Sequence, residues 1–428
     1  MVRTLFSLAV AGVAGLWLCG PVQAAQAGGP LSMSLVRLSP SGKLYAFLAD
    51  AGGAKRVVVA TADNKVLLSI PASATQAMQD IEWAGEGHLL ITNDTSVPLD
   101  PQYFEQHRDD VASVTAVNLD THAAINVFVS PSQQRVVSAV IGQYGTARIG
   151  GHWYGYFGAY PYDTSSLGSV VRHDADFKAI ASFEFYPDLY RVDLDTGALS
   201  VAAYGEPGAY GWLVTPDGQV VANAVFDQKS KTWSLHRGAR GGATLLSGGG
   251  SDQGPVLVSL GPAPDTVVAK LQDKSGARLV ELPLSPGAGA ARPAVEDSAL
   301  SVLVDRATDR WIGTADDNGQ LDATAEASPA AAKIKAAFAP FDGEKPRLVS
   351  ASADFNTMVV WTPAQGADGT YWRVDIGQQS AVPIGSGPTP KPAGAAARIT
   401  FKADLAMRWQ GEQMISAPVP SRGSKQGF

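Results

Sequence analysis

Hydrolysis by a serine requires the nucleophile on a sharp strand-to-helix turn, which reads in sequence as G-x-S-x-G. No such stretch occurs in this chain: around Ser169, Ser251, Ser386 and Ser424 the flanking glycines stand at other offsets. A zinc site needs paired ligands, as in H-E-x-x-H. His88, His107, His122, His152, His173 and His236 stand singly, and each reads as a surface or turn residue. The run Gly248-Gly249-Gly250 lacks the Lys-Ser/Thr that a phosphate-binding loop requires. No catalytic residue, metal ligand or cofactor is therefore expected. Asp120, Asp193, Asp195, Asp217 and Asp375 fall in hairpin turns, where carboxylates shape the backbone through Asx-type bonds. One stretch stands out. Gly151 to Tyr162 carries seven aromatic residues in twelve, counting His152. Flat rings among glycines suit a contact surface for a peptide or a neighbouring domain. Trp153, Tyr154, Tyr156, Phe157, Tyr160 and Tyr162 are the candidate binding residues. The competing reading is a long hairpin packed on its own sheet.

The elements that would position these residues are short strands. The chain has 428 residues with 45 Gly and 27 Pro, and 45% of it is hydrophobic, a composition suited to many strands and turns. Its net charge of −7 comes with no basic stripe, which argues against nucleic acid as a partner. Turn clusters such as Ser39-Pro40-Ser41-Gly42, Thr215-Pro216-Asp217-Gly218 and Asp193-Leu194-Asp195-Thr196-Gly197 end apolar-alternating runs. Paired up, the runs give about seven units of roughly 50 residues, the length of a four-stranded propeller blade. The expected fold is all-β, a β-propeller of about seven four-stranded blades over residues 31–400. An array of β-sandwiches is the alternative. Two stretches break the repeat. Gly142 to Phe177 reads as an insertion into the third unit. Ser328-Pro329 reads as the cap and first position of a short helix near 329–339.

The N-terminus predicts export. Arg3 precedes an apolar run from Thr4 to Cys19, then Gly20-Pro21 and small residues suited to cleavage, so residues 1–27 read as a signal peptide. An uncleaved anchor and a lipoprotein at Cys19 are the alternatives; Leu16 to Leu18 put bulk where a lipobox needs a small residue. Cys19 is the only cysteine. The expected location is periplasmic or secreted, with no membrane contact after cleavage.

Taken in order, RLSPSGKLYAFLAD, DIEWAGEGHLLIT, RIGGHWYGYFG, PDLYRVDLDTG, GWLVTPDG, SADFNTMVVWT and DGTYWRVDI resemble the N-terminal propeller of bacterial exported serine peptidases of the prolyl oligopeptidase family. The resemblance covers about residues 31–402. It implies a propeller that screens an active site and filters substrates by size, in front of an α/β-hydrolase domain that carries the catalytic triad. After Arg398 to Asp404 the likeness fades into a divergent tail, residues 403–428, expected to be disordered. No triad residue has a position here to be carried onto. The leading expectation is a non-catalytic propeller that binds a peptide or protein. The alternatives are the propeller subunit of a split peptidase, whose hydrolase domain is separately encoded, and an unrelated periplasmic binding or scaffold propeller. A propeller stripped of its hydrolase face is also expected to be poorly soluble or to need a partner.

Overall fold

Period-two alternation sends successive side chains of a strand to opposite faces. In this chain both faces are apolar. Tyr45, Phe47 and Ala49 enter one core cluster, while Ala46 and Leu48, interleaved with them, enter another. A sheet with two apolar faces must be covered on both sides, and stacking sheets in series achieves that.

A computed structural model describes residues 32–73, 76–98, 108–129, 136, 139–161, 171–173, 179–181, 186–273, 276–285, 292–295, 301–316, 321–364 and 368–390. The chain divides into Met1–Pro30 and Leu31–Phe428. The expected signal peptide and the tail 403–428 lie outside the described residues.

The described residues are mostly strand, in four-stranded antiparallel meanders arranged like the blades of a propeller. The first meander is β1 (Ser32–Leu38), β2 (Leu44–Ala51), β3 (Ala54–Thr61) and β4 (Val66–Pro71). Next come β5 (Gln76–Ala84), β6 (His88–Pro98), β7 (Arg108–Asn118) and β8 (Ala124–Asn126). A third sheet is built from β9 (Gly142–Ile149) and β10 (His152–Ala159), then, after the small ribbon β11 (Val171–His173) and β12 (Ala179–Ala181), from β13 (Asp188–Asp193) and β14 (Leu199–Ala203). The fourth is β15 (Ala209–Val214), β16 (Val220–Asp227), β17 (Thr232–Arg237) and β18 (Thr244–Gly249). The fifth is β19 (Val256–Leu260), β20 (Thr266–Asp273), β21 (Gly276–Pro283) and β22 (Arg292–Val295). The hairpin β23 (Ser301–Asp305) and β24 (Arg310–Ala315) joins β19 through one parallel bridge, Leu260 to Arg310. After α1 (Ala323–Glu326), α2 (Ala331–Phe338) and a 3-10 turn at Ala339–Phe341, the last meander is β25 (Arg347–Ala351), β26 (Thr357–Pro363), β27 (Asp368–Asp375) and β28 (Ser380–Pro388).

Apolar clusters fill the junctions between consecutive sheets. Val57 and Val59 meet Ile81 and Trp83; Ala116 and Phe128 meet Phe157 and Tyr190; Tyr144 and Tyr156 meet Trp212; Leu213 and Leu235 meet Val267 and Val280. Val258 and Val268 meet Trp311, and Ile312, with Ile334 of α2, meets Met358 and Val360. Val359, Trp361 and Tyr371 of the last meander meet Met33, Val36 and Phe47 of the first. A parallel bridge between Ser32 and Ser386 adds a backbone link there.

The structure departs from the sequence reading in two places. Gly142 onward is not an insertion: it supplies β9 and β10, half of the third sheet, and the added chain lies between β10 and β13. The helix is present, but Ser328 does not cap it. Ser328 Oγ donates to Ala325 O at 2.6 Å, closing the end of α1, and Ala330 occupies the cap position of α2 without a side-chain bond. Ser-Pro thus separates two short helices rather than opening one.

Candidate functional site

The strands that open the meanders pack beside one another: β1 lies next to β25 and β5, and β15 lies next to β9 and β19. All six carry register irregularities. On β1 the register slips between Ser34 and Arg37, where Leu35 has a φ of 53°. On β5 it slips between Met78 and Asp80. On β9 the slip follows Gln143, where Gly145 has a φ of 120°. A bulge adds a residue, breaks the alternation and re-aims the adjoining side chains. Near these slips, polar groups from three separate sheets meet in one cluster.

Arg37 Nη2 donates to Asp80 Oδ1 at 2.8 Å, and Nη1 donates to Val36 O at 3.1 Å. Gln143 Nε2 donates to the Glu82 carboxylate, and Thr92 Oγ1 donates to Gln143 Oε1 at 3.4 Å. Trp83 Nε1 holds the backbone beneath Arg37 through its carbonyl at 3.0 Å. Arg306 comes from the β23–β24 turn, which is not sequence-adjacent to any of these strands. That turn is shaped by Asp305, which accepts from Ala307 N at 2.9 Å and from Thr308 Oγ1 at 2.8 Å. Arg310 ties it to the fifth meander through Gly261 O at 2.8 Å. Among the described residues Arg306 makes no hydrogen bond or ion pair. Its side chain is exposed, and the charges of Arg37, Glu82 and Asp80 act on it.

The electrostatics follow from burial and from the neighbouring charges. Burial, reinforced by the neighbouring Asp80 charge, pushes the Glu82 carboxyl from 4.5 up to about 7, with Arg306 and Arg37 acting in the opposite sense. Burial and Arg37 together pull the Arg306 guanidinium below its ordinary value, against Glu82 and Asp80. Because the folded value of Glu82 lies above its unfolded one, the folded chain holds a proton that the unfolded chain releases between about pH 4.5 and 7. Glu82 therefore withdraws stability as pH rises through that window. Glu82→Gln is expected to abolish that loss and to stabilise the protein by about 1 kcal/mol at about pH 8 relative to pH 5. Urea unfolding midpoints at the two pH values check this; an undiminished decline in the variant would assign it to other groups.

The aromatic stretch lies on and after β10, and two of its rings are wholly inside. Tyr156 and Phe157 are fully buried. Tyr156 Oη donates to Gly218 O at 3.3 Å, and Phe157 stands edge-on to Phe128 with centroids 6.3 Å apart. Trp153 lies over Gly85 of the preceding sheet, where a Cβ would fall 2.4 Å from the indole. Tyr154 is half-buried with the Arg191 guanidinium 4.9 Å from its ring centroid. Tyr160 is half-buried, and burial raises its phenol pKa. Tyr162 lies outside the described residues. Among the described candidates, Trp153, Tyr154 and Tyr160 present surface.

The turn carboxylates behave as expected in part. Asp193 Oδ1 accepts from Asp195 N at 3.0 Å and Thr196 N at 2.8 Å, and Asp375 Oδ1 accepts from Gln378 N at 2.9 Å. In the Asn118–His122 hairpin that task falls to Asn118, not Asp120. Asp195 instead reaches across to the second meander. It accepts from Asn118 Nδ2 at 2.7 Å and pairs with His88 Nε2 at 2.7 Å. His88 is therefore a buried junction residue and not a surface one. Hydrogen bonds from His88 and Asn118 hold the Asp195 carboxyl below its ordinary value, although burial opposes them.

No family model matches the chain, and no curated protein matches it. Among solved structures it is similar to a prolyl endopeptidase, at 11% identity and a TM-score of 0.45, with 85% of this chain and 51% of that one covered. It is also similar to a puromycin-hydrolysing peptidase of Mycobacterium tuberculosis, at 10% identity and a TM-score of 0.44, covering 86% and 55%. A third is prolyl oligopeptidase B from Galerina marginata, at 9% identity and a TM-score of 0.43, covering 85% and 52%. The chain spans about half the length of each.

Proposed function

We propose that this chain is an exported, non-catalytic propeller of seven blades whose axial channel receives peptides, in the manner of the substrate-gating domain of a prolyl oligopeptidase-type peptidase. The observation that carries this reading is the polar cluster of Arg37, Asp80, Glu82 and Gln143, drawn from three successive inner strands. Such a set suits strands that face a common axis. The seven-fold count is supported by the run of apolar clusters between consecutive sheets, with the last sheet packed on the first. In this reading β23 and β24 form the inner half of the sixth blade, and α1 and α2 stand where two outer strands would lie.

Peptides suit such a channel because their backbone offers donors and acceptors to both amide and charged groups. The absence of a G-x-S-x-G stretch supports the non-catalytic part. Isothermal titration of the purified protein with short unlabelled peptides is expected to show saturable binding. Incubation with the same peptides and with a fluorophosphonate probe is expected to show neither cleavage nor labelling. Hydrolysis abolished by the probe would overturn the non-catalytic reading, and the absence of peptide binding would overturn the receptacle.

A further inference from the structure

Asp195 stands in the β13–β14 hairpin, whose turn is fixed by Asp193 Oδ1 accepting from Asp195 N and Thr196 N. Its carboxylate leaves its own sheet. Oδ1 accepts from Asn118 Nδ2 at 2.7 Å and lies 2.7 Å from His88 Nε2. The proton positions follow from the other bonds. Asn118 Oδ1 accepts from Asp120 N and Thr121 N, each at 2.9 Å, so its amide turns the Nδ2 donor toward Asp195. An ionised carboxylate only accepts, so His88 Nε2 carries the hydrogen. His88 Nδ1 is then left buried, without a hydrogen-bond partner among the described residues. The same hairpin is tied to β10 through Leu194 N, which donates to Trp153 O at 2.9 Å, and the Trp153 indole lies over Gly85 of the second sheet. We propose that Asp195, His88 and Asn118 form an acid-released clasp that closes the second sheet on the third.

The Asp195 side chain is 37% exposed, against 7% for His88, so the carboxyl is rehydrated in place while the imidazole is not. Protonating Asp195 removes the charge that makes both bonds strong. It also leaves the imidazole, a group that takes up a second proton in acid, as a buried cation with no counterion and with an Nδ1–H that has no acceptor. A buried unpaired charge is strongly destabilising, and parting the hairpin from the second sheet relieves it by admitting water. Burial raises the Asp195 carboxyl, but hydrogen bonds from His88 and Asn118 and the charges of His88 and His152 outweigh it, so it titrates below its ordinary value. A group depressed in this way stabilises the closed form above the ordinary carboxylate range and ceases to do so as pH falls through its folded value. The other charged groups of the junction are placed elsewhere. His152 on β10 faces Asp193 at 3.9 Å, Glu86 in the β5–β6 turn accepts from Ser41 Oγ at 2.9 Å, and Arg191 on β13 stands over the Tyr154 ring. Asp120 and His122, in the Asn118 hairpin, are exposed. The clasp does not depend on the proposed receptacle.

Hydrogen–deuterium exchange of the full chain, corrected for the intrinsic pH dependence of exchange, tests the clasp between about pH 7 and about pH 2.5. As pH falls, the hydrogen-bonded amides of Leu119, Asp193 and Leu194 are expected to lose protection by about tenfold before the amides of β15, β16 and β17 in the fourth sheet. Asp195→Asn keeps the shape and removes the charge. Its junction should be about tenfold less protected already at about pH 7, with the acid step gone. His88→Gln keeps a donor toward Asp195 but takes up no second proton, so its junction should stay closed to lower pH than the native one. Native protection of the fourth sheet at about pH 7 shows that both variants fold. Loss of protection in all sheets together, no loss at the junction, or the native acid profile in Asp195→Asn each overturns the clasp.

Discussion

Phe157→Ala is expected to destabilise the protein by about 3–5 kcal/mol, the cost of emptying a well-packed aromatic site. Phe157 is fully buried at the junction of the second and third sheets. Its ring meets Phe128 edge-on, and Phe128 in turn stands 5.7 Å from Tyr190. On the ladder it pairs with Tyr190 of β13, so truncation leaves a void bounded by rigid rings that cannot collapse inward. Gly155 makes room for this ring, because a Cβ there would fall 2.4 Å from it. A typical domain has about 5–15 kcal/mol in total, so the variant should unfold far earlier in urea. Tyr154→Ala, at a half-buried site, should cost about 1 kcal/mol. If both variants unfolded at the native midpoint, the rings of β10 would not be packing residues, and their assignment to the core would fall.

Gly387→Ala is expected to cost about 3 kcal/mol, through a different mechanism. Here the first and last sheets meet. A Cβ on Gly387 would lie 1.9 Å from the Met33 carbonyl oxygen, and backbone on both sides leaves little room to yield. The same residue accepts from Trp361 Nε1 at 3.2 Å, and its neighbour Ser386 bridges to Ser32. Forcing these strands apart loosens the closing apolar cluster and exposes strand edges that invite association. Gly385→Ala is the control. Its nearest obstacle is the Met33 thioether, a flexible side chain, so it should cost less. Urea midpoints read the stability, and size-exclusion chromatography reads the association. A Gly387→Ala protein within about 0.5 kcal/mol of native would show that this seam does not hold the sheets together.

Local chemistry made the strands legible. The Thr215–Gly218 turn and the Asp193–Gly197 hairpin stand where the sequence places them, because turn geometry depends on a few contiguous residues. The aromatic stretch was visible as composition, but its use was not. A ring beside a glycine reads equally well as a flexible surface or as a ring lying across a bare backbone, and only the facing sheet distinguishes the two. Gly85 and Gly155 supply that bare backbone. The Gly142 boundary was missed for a related reason: β9 and β10 look irregular along the chain, since Gly145 permits the bulge and the next strand of their sheet waits until Asp188.

The charged cluster lay hidden in plain alternation. Asp80 and Glu82 flank Ile81 in DIEW, an acidic pair two residues apart inside a strand that ends apolar. That spacing puts both on one face, a signal sequence reading could have used. What it could not supply is their company. Arg37 is 43 positions away from Asp80, and Gln143 is 61 from Glu82.

The amino-acid string, read alone, settled much of what depends on neighbours along the chain: short strands, most of the turns that end them, and an all-β class. Which charges meet and which rings are buried were settled by the stacking of distant sheets. Pairing and burial are properties of three-dimensional proximity, and loop closure over dozens of residues leaves no local trace of it.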